Sequence, residues 1–390
     1  MAVDDVKVDI ALSHLSLNFL GGEEKLCLSF IEALRMSGHR VTLFTVEKTD
    51  WGSIREFFGN VMMPDEEIYT TSLTIHARFL ETSTLAFAYT NYLAGLIKLN
   101  SKGKYDLVIN TYGDLINSLA DVAYVHFPIK ATLDYSQTPV FVALHKWRIY
   151  CQIYNLAASV LDNIKSSFLL TNSNFTQRVV KKYLKRDALV LHPPVDVEIY
   201  ASEKAERENC VVTVSRFTPK RRLYRIPLIA KNTKNAKFFI VGAADEYSLK
   251  TIQHLKKAIS KCGVKDLVTL LPNVSSSKLI RLLAKAKVYL HAMPFDHFGI
   301  SIIEAMAAGC VPIVHRSGGP WLDILDQQQG KAGFSYVTLE EAAQLIDLVM
   351  VDESLRKKDS SAAQHRALNY SKSNFQEKLS NIVNRLTTSY

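Results

Sequence analysis

What most limits this chain is a pattern that runs twice. Short apolar runs alternate with amphipathic stretches over residues 8–191, stop at a polar, proline-marked segment, and resume at 211. Such runs read as buried strands with helices packed on them, an α/β organisation. In the first series the strands are Val8–Leu12, Val41–Val46, Leu107–Asn110, Val122–His126, Phe168–Thr171 and Leu189–Leu191. Glu23–Ser37, ended by Gly38, and Asn174–Leu184, capped by Asn172 or Ser173, are its helices. In the second, Val211–Ser215, Phe238–Val241, Leu267–Leu271, Val288–His291 and Val311–His315 are strands. Helices fall at Glu246–Ser260, at Ser276–Ala284, from Gly299, near Leu339–Met350 and over Asp352–Leu368. His192-Pro193-Pro194 fixes an extended link between the series. The expected domains are 1–195 and 196–372, with a helix in 373–390 able to pack back on the first.

Two domains also suit 390 residues, and 48% hydrophobic with 22% charged residues is ordinary for a globular protein. The net charge of +9 is uneven. Residues 1–200 hold 19 Lys+Arg against 21 Asp+Glu, and residues 201–390 hold 28 against 17, so the second half is the better anion binder. A solvated basic surface would look the same. Nucleic acid is disfavoured, since no basic stripe interleaved with aromatics occurs. Five scattered cysteines without a C-x-x-C pair argue for a reducing compartment and against a metal cluster. There is no Asp-x-Asp or His-Glu-x-x-His pattern, so no metal is expected. The N-terminus lacks a signal-peptide pattern and no run of about 18 apolar residues occurs, which predicts a cytoplasmic chain without a membrane span.

Phe295–Gly309 carries the most chemistry. Asp296 and Glu304 stand eight residues apart across a helix start, with Gly299, Ile300 and Ser301 where the first helical N–H groups open. Those donors and the macrodipole attract anions, while the carboxylates accept from hydroxyls, and a sugar diphosphate offers both. Glu304 is flanked by Ile302, Ile303, Ala305 and Met306, and a carboxylate in such surroundings needs partners. Arg216, Lys220, Arg221 and Arg222 follow the strand at 211–215, where ligands gather in open α/β sheets. Gly21-Gly22 opens the first helix, and His126 ends a strand, although a two-glycine turn or a structural histidine fits each as well. Ser317-Gly318-Gly319-Pro320 is either a plain turn or a loop beside substrate. The dinucleotide fingerprint G-x-G-x-x-G is absent.

At these positions the chain resembles the retaining glycosyltransferases of GT-B fold. The matching pieces are Gly21-Gly22-x-Glu24, Ser37-Gly38-His39, Arg216-x-x-Pro219-Lys220-Arg221, the signature 296–309 and Gly318-Gly319. Tyr124-Val125-His126-Phe127-Pro128, His297-Phe298-Gly299-Ile300 and Ser317-Gly318-Gly319-Pro320 further resemble α-1,2-mannosyltransferases that extend dolichol-diphosphate-linked oligosaccharides from GDP-mannose. The resemblance implies two Rossmann-like domains facing across a cleft, no cofactor, a nucleotide-sugar donor and a glycan or lipid-linked acceptor. It assigns Arg216 and Arg221, with Lys220 as an alternative, to the diphosphate. It assigns Gly299, Ile300 and Ser301 to phosphate or sugar, Glu304 to ribose, Asp296 to the hexose hydroxyls and His126 to the hexose C6 side. Gly21 and Gly22 would let the first domain close on the phosphates. Two departures stand out: Asp296 replaces the usual Glu, and Arg221 the usual Lys. The first leaves room for a subunit that binds donor without turnover, and the fold also serves sugar-nucleotide epimerases and phosphorylases. Val140–Leu161 mixes apolar residues with Lys146, Trp147 and Arg148, a composition that suits either peripheral membrane contact or a core helix.

Overall fold

The computed structural model describes residues 7–71, 103–114, 120–128, 131–135, 168–246 and 248–387. The Val140–Leu161 segment lies outside the described residues. The chain forms two compact units, residues 1–194 with 372–390, and residues 195–371.

Unit 1 holds β1 (Asp9–Ser13), α1 (Gly22–Met36), β2 (Arg40–Glu47), α2 (Trp51–Phe58), β3 (Glu66–Thr71), β4 (Leu107–Asn110), β5 (Val122–Val125), α3 (Thr132–Tyr135), β6 (Phe168–Thr171), α4 (Asn174–Leu184) and β7 (Leu189–Val190). Its strands form one parallel sheet in the order β3-β2-β1-β4-β5-β6-β7. Ser173 caps α4 by accepting from the Thr176 N–H at 3.0 Å, leaving the sequence's alternative cap, Asn172, to donate to the His126 carbonyl.

Unit 2 holds α5 (Val197–Ser202), β8 (Glu208–Val214), α6 (Arg225–Lys231), β9 (Lys237–Gly242), α7 (Ser248–Cys262), β10 (Val268–Pro272), α8 (Ser276–Lys285), β11 (Ala286–His291), α9 (Ile300–Ala307), β12 (Val311–His315), β13 (Phe334–Tyr336), α10 (Leu339–Val351) and α11 (Glu353–Ala367). These strands also run parallel, in the order β10-β9-β8-β11-β12-β13. Both faces are covered, which explains runs that are apolar without alternation. Val211, Ile240, Val288, Leu290 and Ile313 belong to one buried cluster, while Val212, Val241, Tyr289 and Val314 belong to another. Successive side chains thus enter opposite cores.

The last helix, α12 (Lys372–Thr387), belongs to unit 1. Phe375, Leu379 and Val383 join the core of Ile10, Leu12, Phe30 and Tyr124, with the Phe30 and Phe375 ring centres 5.4 Å apart. Where the chain enters and leaves unit 2, Val195 bridges to Ser371 and donates to the Tyr370 carbonyl at 2.8 Å.

In each sheet the chain builds outward from one strand and then crosses back to that strand's other side. The reversal lies between β1 and β4 in unit 1 and between β8 and β11 in unit 2. The crevice beyond the carboxyl ends of such strand pairs is where open α/β sheets bind ligands.

Candidate active site

In unit 2 every site element leaves the reversal point. β8 ends at Val214, and the following backbone crosses Gly242 so closely that a Cβ there would lie 1.9 Å from the Ser215 carbonyl oxygen. Phe217, fully buried, anchors the loop, and Pro219–Arg221 forms one tight helical turn. Arg216 and Lys220 are exposed. Arg221 is half-buried, its Nη1 3.4 Å from Asp296 Oδ2 and 3.3 Å from Met293 Sδ. Arg222, counted with these cations in the sequence, turns aside and donates to the Tyr224 hydroxyl at 3.1 Å.

Beyond β11 the loop carrying Asp296 is gripped from the far side. The Phe295 N–H donates to Ser317 Oγ at 2.8 Å and the Gly319 N–H to the Asp296 carbonyl at 2.9 Å. A Cβ on Gly318 would lie 2.3 Å from the Asp296 carbonyl oxygen, and one on Gly319 would lie 2.2 Å from that of His297. The Gly-Gly pair therefore exists to let two backbones touch, more than a plain turn requires. Gly299 caps α9 at φ 103°, a conformation that favours glycine, and turns the Gly299, Ile300 and Ser301 N–H groups to the helix's open end. Tyr289 donates to the Val214 carbonyl at 3.3 Å and lies 2.7 Å from Ser301 Oγ, tying the start of α9 to the end of β8.

Both carboxylates are buried, each with 8% of its surface exposed. Burial alone would push Asp296 toward its neutral form, but His291 and Arg221 outweigh it and hold the group well below the usual carboxylate range. Its Oδ1 accepts from the His297 N–H at 2.8 Å, and His291 Nε2 stands 2.9 Å from Oδ2. Glu304, one turn into α9, meets Tyr200 of α5, whose phenol is pushed up by burial and by that carboxylate. Asp296 pairs with Arg221, and Tyr289, which touches Ser301, senses both Asp296 and Glu304, so these four groups gather around one ring, with Arg216 two residues beyond Val214.

Unit 1 has its own polar cluster at its reversal point. Thr111 spends its single O–H on the Ser13 carbonyl at 3.0 Å, so His14 Nδ1, 2.9 Å from Thr111 Oγ1, must donate to it. His14 Nε2 faces Glu24 at 3.8 Å. Burial opposes charge on this imidazole, but Cys27 and Glu24 overcome it and raise His14 above its ordinary value. Glu24 also closes α1, accepting from the Gly21 N–H at 2.6 Å. His126 donates Nε2–H to the Thr111 carbonyl at 3.0 Å, and burial keeps it neutral. Asp114 accepts from the His126 and Phe127 N–H groups at 2.5 and 3.0 Å, and burial with nearby Glu23 pushes it well above the usual carboxylate range. His126, Gly21 and Gly22 thus share this cluster with His14 and Asp114, which the sequence reading did not single out for ligand contact. Among the described residues no group of three or more His, Cys, Asp or Glu is placed to hold a metal, and no helix is long and apolar enough to cross a membrane.

Comparison with known proteins gives the same architecture. A GDP-Man:Man(3)GlcNAc(2)-PP-Dol alpha-1,2-mannosyltransferase of Dictyostelium discoideum is 24% identical over 313 residues, covering 75% of this chain and 60% of that protein. The protein of that description from Caenorhabditis elegans is 26% identical, with 61% and 57% covered, and that from Xenopus laevis 30% identical, with 41% and 36% covered. The chain thus spans between about a third and three-fifths of the curated relatives it matches. Among solved structures, a sucrose-phosphate synthase from Thermosynechococcus elongatus superposes with TM-score 0.74 at 14% identity, over 98% of this chain and all of that one. WaaG, a glycosyltransferase involved in lipopolysaccharide biosynthesis, gives 0.71 at 16% identity, over 96% and 99%. These likenesses establish the fold, GT-B. Residues 196–366, nearly all of unit 2, match the family of glycosyl transferases group 1.

Proposed function

We propose that this chain is a metal-independent, retaining mannosyltransferase that moves mannose from GDP-mannose to a lipid-linked oligosaccharide. The observation that carries the reading is the assembly of Arg221, Asp296, Ser301 and Glu304 at the reversal point of the second sheet. The names of the relatives suggest the mannose, the GDP and the acceptor, and a cationic turn beside an open helix end suits a sugar diphosphate.

The diphosphate lies between the cationic turn and the open end of α9. Arg216, Lys220 and Arg221 take up the negative charge that grows on the leaving phosphate, and the N–H groups of Gly299, Ile300 and Ser301 add fixed dipoles. Glu304 accepts from ribose hydroxyls, and Asp296 from a hydroxyl of the hexose. The acceptor attacks on the face the phosphate leaves, and the departing phosphate takes the acceptor's proton.

The test is transfer by the purified chain from a panel of GDP-, UDP- and ADP-sugars to a lipid-linked oligosaccharide. Arg216→Ala and Glu304→Ala should each lower kcat/KM about 100-fold or more while the fold survives. Full activity in either variant refutes the site. Donor binding with neither transfer nor hydrolysis makes the chain a binding subunit.

A lipid-linked acceptor also calls for contact with a membrane surface. Support comes from unit 2, where residues 231–265 hold eight lysines against two acids. All eight are exposed. On α7, Lys250, His254, Lys257 and Lys261 recur at helical spacing on the side opposite buried Leu255 and Ile259. Residues 231–265 hold no arginine, so the face offers diffuse charge suited to anionic headgroups rather than forked recognition of single phosphates.

A further inference from the structure

We infer that His291 is a positioning residue for the transferred sugar: held against Oδ2 of Asp296, it keeps the carboxylate turned so that an open acceptor site on Oδ1 is left for a hexose hydroxyl. The inference rests on the donor reading above and adds to it a residue outside every motif quoted for the family.

A carboxylate has about four acceptor sites. Oδ1 of Asp296 takes the His297 N–H at 2.8 Å, while Oδ2 lies 2.9 Å from His291 Nε2, a contact that is close but off the line of a hydrogen bond, and 3.4 Å from Arg221 Nη1. One site on Oδ1 remains. Two lone pairs would repel at 2.9 Å, so His291 must carry its proton on Nε2. The imidazole comes from the last residue of β11 and is buried, with 5% of the residue exposed. Asp296 is one methylene shorter than the glutamate usual in the resembled family. Its carboxylate therefore lies nearer its own backbone, within reach of a side chain rooted in the sheet.

The charged and titratable groups facing this pair come from four directions. Arg221 arrives from the turn after β8, Tyr289 from β11 and His297 from the Asp296 loop itself. His315 of β12 faces His291, with Arg225 and Arg316 close by. Burial and these cations bring His315 down to about 4, so it is neutral at neutral pH and leaves His291 and Arg221 to keep Asp296 ionised. Losing His291 removes the largest of the counterweights to burial, and Asp296 then takes up its proton at a higher pH.

The test compares His291→Leu and His291→Gln in the full chain, with circular dichroism to confirm folding. The glutamine amide reaches about as far as Nε2 and keeps a donor. His291→Leu should raise the donor KM about tenfold. His291→Gln should recover most of the KM. An unchanged KM in His291→Leu overturns the inference, and so does equal impairment in His291→Gln. Should the wild-type chain transfer nothing from any donor, the functional reading fails on its own. The pairing is then read from the imidazole 15N resonances: Asp296→Asn must shift those of His291, and unshifted resonances overturn the inference.

Discussion

Two glutamates show how the same side chain is put to different uses. Glu24, in the first turn of α1, turns back to the Gly21 N–H and faces His14, so its oxygens serve its own unit. Glu304, one turn into α9, meets the Tyr200 phenol of a neighbouring helix instead. A third acid has neither arrangement. Asp359 is fully buried on α11, and neither carboxylate oxygen has a hydrogen-bond partner. Burial raises its pKa, which means that the folded state prefers it protonated. Stability is then greatest at and below the ordinary carboxylate range and falls as pH rises through the raised value. Asp359→Asn should remove that slope and raise Tm near pH 7 by about 2–4 °C. Thermal melts of both proteins from pH 4 to 8 check it; parallel curves would mean that the carboxylate is not desolvated. At this scale Asp296 and Glu304 were legible from their spacing around a glycine, and Arg221 from a run of cations that follows a strand. His14 and His291 were not, since a lone histidine at a strand end has no local pattern. They acquire meaning only from strand order, because β1 and β4, or β8 and β11, become neighbours through folding.

Among elements, those found from sequence share one property: their cores are continuous apolar runs or capped amphipathic stretches. β4, β6, β12 and α4 coincide with their expected spans. β3 was missed because Glu66-Glu67 opens it and it lies at the sheet's edge, where one side needs no apolar cover. β13 is only three residues long, and α6 holds Pro227 in its first turn, so neither shows a period. The polar stretch between the two series, residues 202–209 included, holds the end of α5 and the start of β8. Close approaches between elements were legible only as glycines without a stated purpose. Gly319 has φ −59°, which any residue can adopt, so Gly319→Ala tests contact alone. Pushing the loop off His297 should cost about 1–3 kcal/mol and weaken donor binding, read by denaturant melts and by isothermal titration. Unchanged affinity would show that the loop holding Asp296 is not set by this contact.

Over the whole molecule, charge and connectivity matter more than any single contact. The lysine face of α7 predicts sedimentation with vesicles containing anionic lipid but not with neutral ones, weakening with salt. Lys257→Glu with Lys261→Glu should abolish that binding while leaving donor affinity unchanged. Binding by the double variant equal to wild type would assign membrane contact elsewhere. Connectivity carries a different lesson. Unit 2 is threaded into unit 1 between Pro194 and Lys372, and Phe375, Leu379 and Val383 complete the core around Phe30. On the ribosome, then, the lobe made first must wait with an apolar flank uncovered until the lobe made second has emerged. Nascent chains halted at residue 371 should be cut by protease in α1, and chains released after α12 should resist.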